Sequence, residues 1–216
     1  MGGYGQFCAV ARALEILGER WTLLVVRELL LGERQFNDIR RGIPRISKTM
    51  LSARLKTLEK HDIVSRQDGG YRLTDAGNDL AGVVRELGGW AMRWNRRELG
   101  PDDLDASALV WDIRRRIVPE ALPARRTVVQ LRFREPDTAV FYLYVRRPTV
   151  TLCPEDIGLP VALTVDADLG ALTRYWIGDL GWAQLVRSGA VELTGPSALR
   201  RAFPTWFSGY VLRDAS

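Results

Sequence analysis

The chain has few of the side chains that build metal centres and acid–base sites. Among its 216 residues are two cysteines, Cys8 and Cys153, and a single histidine, His61. Two thiols in separate halves indicate no disulfide framework. One imidazole leaves a zinc or haem site short of ligands, so no metal and no cofactor is expected. The motifs G-x-S-x-G, H-E-x-x-H and a glycine-rich phosphate loop do not occur. General acid–base work would fall to carboxylates without identifiable partners, which argues against an enzyme, or a lipid carrier whose basic half is incidental. No apolar run approaches the roughly 18 residues that mark a membrane span. Met1 to Phe7 carries neither a basic leader nor an apolar core. The expectation is a cytoplasmic chain without membrane insertion.

Acidic charge is scarce in one place. Between Arg34 and Arg72 stand ten arginines and lysines against four acids. Residues 1–100 hold 17 basic and 12 acidic side chains while 101–216 hold 14 of each, so the whole net charge of +5 lies in the first part. Such asymmetry suits a module that meets a polyanion and releases its counterions; a solvated basic face is the alternative.

The hydrophobic spacing through the basic zone is helical, then alternating. Val10, Leu14 and Leu17 predict a first helix with Gly18 as a left-handed cap, and Trp21, Leu24, Val25 and Leu29 a second that ends at Gly32. Asn37 reads as the cap of a short helix through Ile39 to Arg41, Gly42 ends it, and Pro44 favours an extended turn. Ser47 is a good N-cap for a helix over about Lys48 to Lys60. In that helix Leu51, Leu55 and Leu58 make a stripe to be buried. Lys48, Thr49, Ser52, Ala53 and Lys56 lie off it. Small hydrogen-bonding residues on an outer face suit approach to base edges, with lysines toward phosphates, where an ordinary solvent face carries long Glu/Lys pairs. Ile63–Gln67 and Tyr71–Leu73 read as strands joined by Asp68-Gly69-Gly70, a hairpin signal. Arg66 and Arg72 sit on this ribbon, which is either a wing reaching flanking phosphates or a cover for the core. Thr74 caps a long helix with Leu80, Val83, Val84, Leu87, Trp90, Ala91 and Trp94 at helical spacing. That apolar face needs a partner, a second copy or its own domain. Gly88-Gly89 inside it indicates close helix contact or a kink.

Several of these segments together carry a resemblance: Phe7-Cys8-Ala9-Val10-Ala11-Arg12-Ala13-Leu14, Leu17-Gly18-Glu19-Arg20-Trp21-Thr22, Arg27-Glu28-Leu29, Phe36-Asn37-Asp38-Ile39-Arg40, Ile46-Ser47, Leu51-Ser52-Ala53-Arg54-Leu55 and Leu73-Thr74-Asp75-Ala76-Gly77. Over about residues 7–97 the chain resembles the HxlR-type family of bacterial winged helix-turn-helix transcriptional regulators. The resemblance implies a homodimer that binds double-stranded operator DNA through the helix opened by Ser47 and through the wing. The DNA-contact set is then Arg45, Ser47, Lys48, Thr49, Ser52, Lys56, Arg66 and Arg72. Some family members sense oxidants or electrophiles with a cysteine near the start of the first helix, where Cys8 stands. Arg12, one turn on, would favour its thiolate; the alternative is a cysteine that packs as a small apolar group.

After Gly100-Pro101-Asp102-Asp103, read as a linker, the composition changes. Asp105 caps a helix with Leu109, Ile113 and Ile117 inward and Arg114, Arg115 and Arg116 outward, stopped by Pro119 and Pro123. Strands are expected over Thr127–Arg134, Thr138–Val145, Val150–Cys153 and Val161–Asp166, with Glu135-Pro136-Asp137 as the first turn: a small antiparallel sheet. Helices follow at Leu169, Leu172 and Trp176 and at Trp182, Leu185 and Val186. A strand over Ala190–Thr194 and a helix over Ser197–Phe207 complete an α+β layer. Leu163 to Leu169, Tyr175-Trp176-Ile177-Gly178, Arg187-Ser188-Gly189, Leu193-Thr194-Gly195-Pro196 and Phe203-Pro204-Thr205-Trp206 are similar to the sterol-carrier-protein type 2 superfamily and to the C-terminal extension of a subset of HxlR-type regulators. That similarity implies a sheet with helices over one face, enclosing an apolar tunnel. Trp176, Trp182, Phe203 and Phe207 are the candidate pocket residues, or a filled core.

The expected fold is α+β. Residues 1–100 form a winged helix-turn-helix domain for DNA binding and dimerisation; residues 101–216 form a sterol-carrier-like antiparallel sheet covered by helices, sensing a small apolar or lipid-like effector. In the competing reading Cys8 is a redox switch and the second domain is structural or dimerising.

Overall fold

Short-range chemistry sets most element ends in the computed structural model, which describes residues 3–95, 98–134 and 138–210. The chain divides into two units, residues 1–91 and 92–216.

In the first unit α1 (Ala9–Leu17), α2 (Thr22–Leu30) and α3 (Phe36–Arg41) lead to α4 (Lys48–Lys60), the ribbon β1 (Val64–Gln67) and β2 (Gly70–Leu73), and the start of α5 (Asp75–Trp94), whose last three residues fall in the second. Ser47 caps α4 as its hydroxyl accepts from the Met50 N–H at 3.1 Å. Thr74 does the same for α5 through the Gly77 N–H at 3.2 Å. The ribbon pairs Val64 with Leu73 and Gln67 with Gly70. Its two turn residues, Asp68 at φ 51° and Gly69 at φ 73°, are both left-handed, as a two-residue hairpin whose twist matches its strands requires. Leu51, Leu55 and Leu58 are fully buried among Val25, Val26, Ile39 and Ile46, each contributing roughly 1.5–3 kcal/mol by leaving water. On α5 only Leu80 and Val84 pack against this core; Val83, Leu87, Trp90 and Trp94 are exposed.

Two capping expectations fail here. Gly18 is right-handed, with φ −74°, and closes α1 by donating to the Leu14 carbonyl. The left-handed residue is Trp21, at φ 80°, where the chain turns into α2. Asn37 lies inside α3, and Gln35 holds the cap position without a side-chain bond. The helix starts earlier because Phe36 packs against the core.

The second unit contains α6 (Ala106–Arg115), β3 (Thr127–Phe133), β4 (Val140–Arg146), β5 (Thr149–Cys153), β6 (Leu163–Ala167), α7 (Leu169–Ile177), α8 (Trp182–Arg187), β7 (Val191–Thr194) and α9 (Ser197–Ala202). Pro101–Asp103, in the expected linker, is a 3-10 turn. The turn expected at residues 135–137 lies outside the described residues. Asp105 and Asp168 cap α6 and α7, accepting from the Ala108 and Ala171 N–H groups at 2.8 and 2.6 Å.

The sheet order is β5-β4-β3-β6-β7. It is mixed, contrary to the antiparallel sheet expected, because β3 and β6 run parallel. Three antiparallel strands in succession leave the chain at the far end of β5, and residues 154–162 bring it back so that β6 starts level with β3. Alternation sends Val129, Leu131, Phe141, Leu143, Leu163 and Val165 to one face, where they share a core with Leu109 and Ile113 of α6, Leu172 and Trp176 of α7 and Leu185 of α8. The opposite face is polar: Arg132 grips Asp166 with two bonds of 2.6 Å, and Gln130 donates to the Tyr142 hydroxyl at 3.0 Å.

Two further expectations are corrected. Arg114, Arg115 and Arg116 do not point outward. The Arg115 and Arg116 side chains are only 8% and 16% exposed, drawn to Asp112 at 3.7 and 4.0 Å, and Arg114 lies 4.1 Å over the Trp111 ring. The last helix stops at Ala202, giving way to a 3-10 turn over Phe203–Trp206, since Pro204 has no N–H with which to continue an α-helical ladder.

Candidate nucleic-acid interface

Burying the leucine stripe turns the opposite side of α4 to solvent. Ser47, Lys48, Thr49, Ser52 and Lys56 are all exposed there, as is Arg45 on the preceding turn. Lys48, Thr49, Ser52 and Lys56 have no side-chain hydrogen bond or ion pair among the described residues. Two long cations and two short hydroxyls therefore stand unengaged on one helix face. Their charge and donors are unspent on intramolecular partners, which is what a polyanion with readable base edges would meet.

Arg54, on the same helix, is withdrawn from that face. It forms an ion pair with Glu19 and donates from Nε to the Arg20 carbonyl at 3.0 Å, which ties α4 to the corner between α1 and α2. Its role is positional, and nothing within the turn of α4 itself signals it.

The two arginines of the ribbon part company. Register pairs Arg66 with Tyr71 and Ser65 with Arg72, so Arg66 and Arg72 lie on opposite faces. Arg72 reaches Asp68 at 3.2 Å. Arg66 donates to the Tyr71 hydroxyl at 2.7 Å and stands 3.4 Å from Glu59 of α4. The bond to Tyr71, helped by the nearby Glu59 charge, raises the Arg66 pKa further above its ordinary value, so the guanidinium stays protonated at any working pH. Arg66 shares a cleft with Ser52 of the α4 face. That cleft, of about 340 Å³, is lined by Gln35, Phe36, Ser52, Arg66, Gly69, Gly70 and Tyr71. The ribbon is clamped to the turn before α3, with the Tyr71 N–H donating to the Arg34 carbonyl at 2.9 Å. Gln35 is a lining residue that the charge pattern did not reveal, being neutral and outside the ribbon and α4.

Cys8 is exposed immediately before α1, beside exposed Phe7 and Val10. In the second unit the four candidate pocket aromatics do come together, ring against ring. Trp176 meets Phe207 at 6.2 Å, Trp182 meets Phe203 at 6.2 Å, and Phe203 meets Phe207 at 5.2 Å. Tyr175 and Trp206 join them at 5.3 and 5.5 Å, and the Trp176 indole donates to Asp112 at 2.7 Å. Among the described residues no cluster of three His, Cys, Asp or Glu could hold a metal ion, and no helix is long and apolar enough to cross a membrane.

Comparison with known proteins bears on the first unit. A family model described as HxlR-like helix-turn-helix matches residues 16–99. The chain is 38% identical over 90 residues to the uncharacterized HTH-type transcriptional regulator YvaP of Bacillus subtilis, covering 38% of this chain and 83% of that protein. It is 40% identical over 86 residues to the HTH-type transcriptional regulator YodB of the same organism, covering 37% of this chain and 77% of YodB. A third relative, the uncharacterized regulator Rv3095 of Mycobacterium tuberculosis, is 40% identical over 102 residues, 43% of this chain and 63% of that protein, so the match spans less than two thirds of its length. A crystal structure of quinone-bound YodB aligns at 40% identity with a TM-score of 0.37, covering 39% of this chain and 97% of that one.

Proposed function

Because this chain belongs to the HxlR-like helix-turn-helix family of transcriptional regulators, we propose that it binds operator DNA as a homodimer, with α4 in the major groove and the ribbon against the backbone. The observation that carries this reading is the α4 face itself: Lys48, Thr49, Ser52 and Lys56 are exposed and unengaged opposite a fully buried leucine stripe. Lys48 and Lys56 neutralise phosphates; Thr49 and Ser52 address base edges; Arg45, Ser47 and Arg66 border them, and Arg72, on the other face of the ribbon, meets the backbone further along. Dimerisation uses the exposed apolar side chains at and before α1, Phe7, Val10 and Leu14, and those on α5, Val83, Leu87, Trp90 and Trp94. Residues 1–100 are thus the DNA-binding and dimerisation domain.

Residues 101–216 serve, in this reading, as a sterol-carrier-like module that senses a small apolar effector. Support comes from the sheet with its helices gathered on one face and from the aromatic cluster of Trp176, Trp182, Phe203 and Phe207 beneath them. Such an effector regulates only if it binds the DNA-competent and incompetent states with different affinity. A second reading rests on Cys8. Its exposed thiol stands immediately before α1, between exposed Phe7 and exposed Val10 in sequence, so oxidation there would alter the surface on which two copies meet.

The test is binding of the full chain to a labelled duplex from its own upstream region, measured by fluorescence anisotropy across a salt series. Each Lys→Ala change at position 48 or 56 should flatten the slope of log K against log salt by about 0.9 per lost phosphate contact. Thr49→Ala or Ser52→Ala should leave the slope alone and relax base preference. If all four variants bind as the wild type does, α4 is not the reading helix.

A further inference from the structure

The cleft beside α4 is built more deliberately than a surface groove requires. Gly70 presses so close to the turn before α3 that a Cβ there would come within 2.9 Å of the Arg34 carbonyl and 3.2 Å of the Gln35 side-chain nitrogen. That packing places the Gln35 amide on the wall of the cleft. Gln35 occupies the cap position of α3 yet makes no side-chain cap bond, and its exposed amide has no partner among the described residues. Across the cleft Arg66 is held in place by the Tyr71 hydroxyl at 2.7 Å. The α4 side is closed by Ser52. A neutral amide donor, a braced guanidinium and a hydroxyl thus converge from three elements on one space.

Three side chains able to donate, one of them a permanent cation, around one space favour an oxygen that carries negative charge. A free small anion is poorly served, because the cleft opens to solvent and Glu59, 3.4 Å from Arg66, offsets part of the positive charge. A phosphate that belongs to a bound duplex is delivered by the neighbouring contacts and needs only correctly placed donors. We propose that this cleft seats one phosphodiester of the DNA strand bordering the groove that α4 reads, with Gln35 donating to its oxygens opposite Arg66. The inference rests on the DNA-binding reading above and adds Gln35 to the contact surface.

The experiment uses the full chain and a duplex enriched by it from a random-sequence library, with single phosphates replaced in turn by neutral methylphosphonates. Wild-type binding should weaken at one replaced phosphate that Gln35→Ala no longer senses. Gln35→Ala should lose roughly tenfold in affinity on every sequence, as expected for one hydrogen bond to a charged group, without a change in salt slope. Gln35→Lys should steepen that slope by about 0.9 per copy. If Gln35→Ala responds to every methylphosphonate as the wild type does, and Gln35→Lys leaves the slope unchanged, the cleft is not a phosphate seat although the DNA reading stands. If the wild-type chain enriches no duplex, the DNA reading fails and this inference falls with it.

Discussion

Replacing Gly42 by alanine should damage the first unit far more than its backbone suggests. Gly42 ends α3 with φ −74° and ψ −11°, a conformation that alanine adopts freely. A methyl group there would nevertheless lie 1.7 Å from Oε2 of Glu28 and 2.2 Å from its carboxyl carbon. Glu28 cannot step aside cheaply: it is 1% exposed and receives two hydrogen bonds from Arg27, at 2.9 and 2.6 Å. Arg27 in turn donates to the Gly42 carbonyl at 3.0 Å. Either α3 moves off α2 or the buried carboxylate leaves its donors; breaking a fully buried pair costs about 3–5 kcal/mol, and the cost here is lower because the Arg27 side chain is 36% exposed. Allowing for relaxation, Gly42→Ala should destabilise by about 2–4 kcal/mol, which for a unit of this size lowers Tm by roughly 10–25 °C. Urea unfolding followed by circular dichroism measures the loss. In a Glu28→Ala background, where the obstructing carboxylate is gone, the same substitution should cost under about 0.5 kcal/mol, the coupling of a double-mutant cycle. A Gly42→Ala protein as stable as the wild type, or an equal penalty in both backgrounds, would refute the steric argument.

Other perturbations separate the remaining claims. Trp90→Ser together with Leu87→Ser, both on the exposed face of α5, should shift sedimentation from dimer toward monomer with under about 0.5 kcal/mol change in unfolding free energy, since surface changes rarely exceed that; an unchanged dimer would place the interface elsewhere. Cys8→Ser should bind DNA as the wild type does but keep binding after treatment with a thiol oxidant; a wild-type chain equally indifferent to oxidants removes the thiol from regulation. Trp176→Phe removes the indole bond to Asp112 of 2.7 Å and leaves a carboxylate near Arg115 and Arg116 one donor short, so the second unit should lose about 1–3 kcal/mol. A neutral result in thermal unfolding would mean that the bond adds nothing.

Much of the first unit was legible because its determinants act within a turn or two. Ser47 caps α4 through a residue three positions on, and the leucine stripe repeats every three or four residues. The glycine-tipped ribbon is likewise a contact between near neighbours. The same locality explains the misreadings. Gly18 and Asn37 are the residue types of a left-handed cap and an N-cap, yet where α1 ends and α3 begins depends on how Trp21 and Phe36 pack. Arg115 and Arg116 have the pattern of a solvated face, but Asp112 and the surrounding core draw them in.

By itself the sequence determined the helix and strand inventory, the basic bias of the first hundred residues and the outer face of α4, since capping, periodicity and charge are properties of neighbouring residues. Only the tertiary structure decided that β6 lies parallel to β3, that Arg66 and Arg72 face apart, that Glu28 meets Gly42, and that Gln35 shares a cleft with Ser52 and Arg66. Each of these joins groups on different elements. Their juxtaposition follows from how buried faces pack, which no local pattern of side chains encodes.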